Sequence, residues 1–159
     1  TSPGVLNSDV WHSSDGAIWT EAVTLAGFSS RRWSASQAFD AGSGMKMWII
    51  GGDDGTYLND VWSSTDGISW TQETGAAAFP PRALHSSQIF NGKMWVMAGY
   101  DGSSRNDIWS SNDCISWSQD TASAEFPTRN GQTSLVYNGK MWVLGGLAGS
   151  YLNDVWYTP

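Results

Sequence analysis

The chain has 159 residues, a formal net charge of −7 and a sequence pI near 4.4, with only 14% of its residues charged. Its three lysines (Lys46, Lys93, Lys140) are dispersed and no basic run exists, so the electrostatic footprint of nucleic-acid binding is missing and nucleic acid is not expected as a partner. No apolar stretch reaches the ~18 residues of a membrane-spanning helix, no basic n-region followed by an apolar h-region is visible, and a lone Cys114 cannot build an intramolecular disulfide framework.

In chain order, the sequence reads as short extended segments separated by turn residues. No segment has a 3.6-residue apolar period, so an all-β chain is expected. Residues 1–30 hold two segments between Asp9 and Ala22, joined at Asp15-Gly16. Residues 31–74 hold four; the second closes on Gly51-Gly52, and the third and fourth meet at Asp66-Gly67. Residues 82–121 repeat that set, beginning with Leu84–Phe90 and the dipeptide Asn91-Gly92. Asn-Gly is a strong hairpin signal because both central residues of a type I′ turn need φ > 0. The run Lys93–Gly99 is almost continuously apolar, as in a strand covered on both faces. A polar loop at 100–105, then Asp107–Ser111 and Ile115–Gln119, complete the set. Residues 129–159 supply the first three segments again.

The repetition is periodic. Lys-Met-Trp recurs at 46–48, 93–95 and 140–142, and Asn-Asp-(Val/Ile)-Trp at 59–62, 106–109 and 153–156, each 47 residues apart. One such unit cannot bury its own apolar faces, so the copies must pack on each other. Ten of the eleven tryptophans fall in three columns, 48/95/142, 11/62/109/156 and 19/70/117. Phe28/Phe79/Phe126 and Phe39/Phe90/Tyr137 form two more. Aromatics present in every unit are expected to pack unit on unit rather than to bind ligand, and Trp95 is expected to be buried.

Four antiparallel strands per unit match one blade of a β-propeller, and the pattern resembles the kelch family. The residues that carry the resemblance are the double glycine closing an apolar strand (Gly51-Gly52, Gly145-Gly146, softened to Ala98-Gly99), the following Asn-Asp-Val-Trp strand and the later Trp70 and Trp117. The Pro-Pro-Arg82 and Pro-Thr-Arg129 entries to the next strand fit as well. A second likeness is local. Ser13–Trp19 and Ser64–Trp70 look like the Asp-box turn of sialidase-type propellers, one residue short of its usual spacing, and read as a folding device. Thirteen strands make about three four-stranded blades, too few to close a ring. The expectation is half of a six-bladed ring formed by a homodimer, or a fragment of a longer propeller. Residues 1–30 would give strands three and four of a split blade, 31–74 and 82–121 two whole blades, and 129–159 strands one to three of another.

Tight hairpins crowd one face of such a propeller. The loops 53–58, 100–105 and 147–152 and the connections near 21–31, 72–82 and 119–129 share the other, where sites usually live. Candidate ligand-binding residues there are Arg31, Trp33, Asp53, Asp54, Tyr57, Arg82, His85, Tyr100, Asp101, Arg105, Arg129 and Tyr151. Arg31, Arg82 and Arg129 form either an anion clamp at the channel mouth or ion pairs with the repeated Asp60, Asp107 and Asp154 between blades; the structural alternative is favoured because both partners repeat. Trp33, aligned with Leu84, is a stacking platform or a core residue. His85, placed in a column with Ser34 and Asn130, faces the channel or is a hydrogen-bonded structural residue. Cys114 stands where other copies have the turn glycine and is expected to be exposed and mildly strained. Asp53-Asp54 lacks the alternating acids of a calcium loop, and two histidines cannot supply a copper or zinc centre. No catalytic residue, metal or cofactor is expected. The resemblance implies a non-enzymatic module that binds a protein or other ligand through its loop face. The alternative is a carbohydrate-binding protein using loop-face aromatics and acids, and more remote still a glycan-active or oxidase-type enzyme.

Overall fold

A computed structural model describes residues 6–159. It is all β, with thirteen strands among the described residues: β1 (Val10–His12), β2 (Thr20–Val23), β3 (Ala35–Asp40), β4 (Met45–Asp53), β5 (Tyr57–Ser64), β6 (Thr71–Thr74), β7 (Ser86–Phe90), β8 (Lys93–Tyr100), β9 (Ser104–Ser111), β10 (Ser118–Thr121), β11 (Thr133–Tyr137), β12 (Lys140–Leu147) and β13 (Tyr151–Tyr157). They form four antiparallel sheets in which strand order follows the chain: β1-β2, β3-β4-β5-β6, β7-β8-β9-β10 and β11-β12-β13. Each sheet is thus one repeat unit, with a half unit at the start and three strands at the end.

The hairpins follow from their turn residues. Asn91 and Gly92 take φ of 49° and 69°, and Asn138 and Gly139 take 51° and 70°, the two left-handed positions of a tight turn. In the first whole unit Asp40–Gly44 replaces Asn-Gly, and the Asp40 carboxylate accepts the N–H groups of Gly42 and Gly44, each at 2.9 Å. That longer hairpin is why Arg31 precedes Arg82 by more residues than Arg82 precedes Arg129. Every second strand breaks register near its end, between Ile50 and Gly52, Met97 and Gly99, and Leu144 and Gly146. Gly51, Ala98 and Gly145 sit at φ of 53–57° there, and a Cβ on Gly52 would lie 2.9 Å from the Arg32 carbonyl oxygen. The double glycine therefore marks where two segments cross close to the strand, the one entering its own sheet at Gly52 and the one entering the next at Gly51.

Two apolar seams join the sheets. Ile50, Val61, Phe79, Met94, Val96 and Trp117 fill the seam between β3–β6 and β7–β10, and Met97, Ala98, Phe126, Met141 and Val143 lie in the next. The tryptophan columns are structural. Trp48, Trp95 and Trp142 donate their indole N–H to the carbonyls of Phe39, Phe90 and Tyr137 at 2.9–3.0 Å, closing the first hairpin of each unit. Trp95, expected in the core, is only half-buried, because it borders the second seam beside Phe90 rather than entering it. Cys114, expected at the surface, is fully buried: the turn between β9 and β10 folds inward and sets its Sγ 3.8 Å from the Met94 sulfur, with φ at 62°. Burial, reinforced by the neighbouring Asp113 carboxylate, pushes its thiol pKa up to about 12, so it is an inert core side chain.

Candidate functional site

The repeated arginines occupy one geometry in all three units. The Arg82 guanidinium donates to both carboxylate oxygens of Asp107, at 2.8 and 2.7 Å, to the Ala98 carbonyl at 2.9 Å and to the Pro80 carbonyl at 3.1 Å. Arg31 repeats this with Asp60, Gly51 and Ser29, and Arg129 with Asp154, Gly145 and Pro127. Each head also lies over its own phenylalanine, Phe28, Phe79 or Phe126, at 5.2–5.9 Å. The ion pairs lie within one sheet rather than between sheets. What spans the seam is the arginine backbone: Arg82 N–H donates to the Leu58 carbonyl at 2.8 Å, and its carbonyl accepts from Gly52 at 3.0 Å. The three arginine heads are buried and hydrogen-bonded at every nitrogen, so they do not converge on open solvent as a clamp would.

The Asn-Asp-Val-Trp motif now reads residue by residue. Asn59 and Asn106 each hold the connection to the next sheet through two backbone carbonyls, Ala77 and Phe79 or Ala124 and Phe126. The aspartate takes the arginine, Val61 is core, and the tryptophan donates its indole N–H to that aspartate at 2.7 Å in all three units. Burial works against ionising Asp107, but Arg82 and the Trp109 indole hold its pKa below the ordinary value; Arg129 and Trp156 hold Asp154 well below it.

The loop face carries what does not repeat. Trp33 is half exposed and adopts φ of 57°, a left-handed conformation costly for a bulky side chain. Its column mates Leu84 and Gly131 share that conformation, because Leu84 N–H donates to the Trp33 carbonyl and Gly131 N–H to the Leu84 carbonyl, at 3.0 and 2.9 Å. The Arg32 guanidinium lies 3.9 Å from the centre of the Trp33 ring and is held by Asp53 at 3.0 Å. Asp53 is cross-strand neighbour to Tyr57, whose ring meets that of Tyr100 edge to face at 5.9 Å across the seam. Asp101 and Arg105 form an exposed ion pair at 2.9 Å on the adjoining loop. Hydrogen bonds from the hydroxyls of Ser29 and Thr56 outweigh the cost of partial burial and lower the pKa of Asp54. Tyr151 stands apart, almost wholly exposed, on the third unit.

The structure therefore links Trp33, Asp53, Tyr57, Tyr100, Asp101 and Arg105 along one rim and removes Arg31, Arg82 and Arg129 to the interior. Arg32 is the residue that sequence reasoning missed. Its signal was present: an arginine beside the repeated Arg31, with Ala83 and Asn130 in its column. The same bridges correct the column of His85, whose counterpart is Gln132 and not Asn130. His85 is buried against Gly51 and Gly99, with both ring nitrogens enclosed and outside hydrogen-bond geometry. Desolvation, aided by the Arg82 charge, pushes its pKa down to about 3, so it is neutral at ordinary pH. Among the described residues no cluster of three His, Cys, Asp or Glu side chains could hold a metal ion.

A family model, the kelch-repeats domain of KLHDC2, KLHL20 and DRC7, matches residues 3–158. Among curated proteins, none matches the chain.

Proposed function

The chain belongs to the kelch-repeat family, and on that premise we propose that it is a non-catalytic binding module whose loop-face rim takes a protein segment. Kelch-repeat domains are in general interaction modules. The observation that supports the choice of rim is the Trp33–Arg32–Asp53 stack. A large aromatic held half exposed, in a strained backbone conformation, under a guanidinium that is itself fixed by a carboxylate, is costly to build and contributes nothing to either apolar seam. Such a stack offers an aromatic or aliphatic side chain a rigid surface at little entropic cost, and the Tyr57–Tyr100 pair extends it. Net negative charge favours segments carrying lysine or arginine at their margins.

The test is selection from a displayed random-peptide library, run in parallel on the native chain and on Trp33→Ala and Arg32→Ala. Enrichment of a consensus by the native chain, lost in both variants, is the expected result. Equal enrichment on all three would move the site off the rim. A native chain that enriches no peptide but binds a defined sugar on a glycan array would replace this reading with a carbohydrate-binding one.

A further inference from the structure

We propose that the last sheet ends in a socket for a strand-four tryptophan, and that a second copy of this chain fills it with Trp19, joining two chains head to tail. The socket is a cleft of about 370 Å³ whose walls include Phe126, Met141, Val143, Trp156 and Tyr157. Its chemistry follows from position. Within the chain, the phenylalanine that leads into each whole sheet meets the tryptophan that opens that sheet's fourth strand. Phe28 meets Trp70 and Phe79 meets Trp117, both at 5.1 Å and nearly perpendicular. Phe126 leads into β11–β13 and has no such tryptophan among the described residues. Trp19 opens β2, is 57% exposed, and has no such phenylalanine among them. The two ends of the described chain thus hold complementary halves of a contact made twice between them.

The opposite side of the same junction agrees. Inside the chain, the first strand of each sheet packs on the first strand of the next, β3 on β7 and β7 on β11. Gln37 and Gln88 tie these pairs by donating to Ser87 and Ser134. In front of β3 lies a second cleft, walled by Ser36, Gln37, Met47, Trp48 and, from β1, Val10 and Trp11. The strand that belongs there is β11, whose Leu135, Val136 and Tyr137 are exposed. Leu135 stands in the glutamine column, so the junction between copies is made by apolar contact without that clamp.

Strand three is then supplied twice, by β13 of one copy and β1 of the other. β13 has seven residues and is laddered to β12, whereas β1 has three and among the described residues pairs only with β2. The joint therefore exchanges β1 for the partner's β13 along β2, in the register that sets Gln72 against Trp62 and Gln119 against Trp109. Glu21 then faces Trp156 of the partner subunit. A head-to-tail joint used twice closes two copies into one ring.

Sedimentation equilibrium of the 159-residue chain tests this, and it does not depend on the loop-face reading. The expected particle is a dimer of the 17.3 kDa chain. Trp19→Ala and Tyr157→Glu change exposed side chains, so folding, followed by circular dichroism, should survive, while each raises the dimer Kd about tenfold or more. Mixing the two variants should form a mixed dimer in preference to either homodimer, because one joint is then intact. A monomer at all concentrations, a dimer indifferent to both variants, or an open series of larger oligomers would overturn the proposal. So would a monomer that takes up an isolated hairpin peptide of residues 9–23, since the socket would then serve a segment supplied in another way.

Discussion

At the scale of single residues, the decisive contrast lies between two adjacent arginines. Arg31 is sealed into an ion pair, while its neighbour Arg32 lies on an exposed tryptophan. Removing a buried partner leaves the other charge uncompensated, so Arg82→Ala, at the most enclosed member of the column, should cost about 3–5 kcal/mol. Urea midpoints would show it, and Arg32→Ala should shift them by less than about 1 kcal/mol. Trp33→Gly should leave stability unchanged or raise it, by up to about 1 kcal/mol, because Gly131 already occupies that backbone conformation without strain. His85 adds a pH signature. Its folded pKa of about 3 lies below the ordinary value of 6.5, so the unfolded chain binds the extra proton. The stability tied to the neutral ring is fully present above pH 6.5 and is lost as pH falls from there towards 3, at up to about 1.4 kcal/mol per unit. His85→Gln installs the side chain found at Gln132, which donates to the Met97 carbonyl at 3.0 Å, and should flatten that acid limb. The paired Arg and Asp columns were legible in the sequence because both members repeat. The Arg32–Trp33 stack was not, because a side chain without counterparts gives periodicity nothing to work on, and Arg32 looked like an appendage of Arg31.

At the scale of elements, the hairpin between the third and fourth strands of each unit is built around one aspartate. In the β9–β10 turn the Asp113 carboxylate accepts the N–H groups of Ile115 and Ser116, at 2.9 and 2.7 Å, and the Ser111 hydroxyl. The same bonds recur around Asp66 and Asp15. Partial burial opposes ionisation of Asp113, but these donors pull its pKa down to about 2. Its contribution is complete above the ordinary carboxylate range and is lost as pH falls through about 2, so it adds a separate, more acidic step below that of His85. Asp113→Ala should cost about 1–2 kcal/mol, read as a lowered urea midpoint, with Asp113→Asn retaining part of the turn. The turn dipeptides disclosed the hairpins at Asp15-Gly16, Asp66-Gly67 and Asn91-Gly92, yet not which way each leans. Cys114 was misplaced for that reason: its burial depends on Met94, a partner that local sequence does not name.

At the scale of the molecule, protection should be graded from the middle outward. β8 sits between β7 and β9 with Met94, Val96 and Met97 wholly enclosed, so its amides should exchange with solvent most slowly; β1–β2, held by three residue pairs, should exchange fastest. Hydrogen exchange read by mass spectrometry would rank them, and fast exchange at β8 would contradict the two-seam core. The architecture was readable from the period alone, whereas the weakness of the outer sheets comes from which faces find neighbours, a property of assembly. The double fixing of the arginines reaches further. Arg82 and Arg129 present the same backbone donor and acceptor to the sheet before them, through the Leu58 carbonyl and Gly52 N–H or the Arg105 carbonyl and Gly99 N–H. Excising residues 82–128 would deliver Arg129 to the acceptor and donor that Arg82 vacates, with Gln132 entering the slot of His85. The arginine is thus a splice point at which a whole unit can be cut out or pasted in without disturbing either neighbour. Unequal recombination at that point would change the number of blades in a single step, and the shortened chain should still unfold cooperatively.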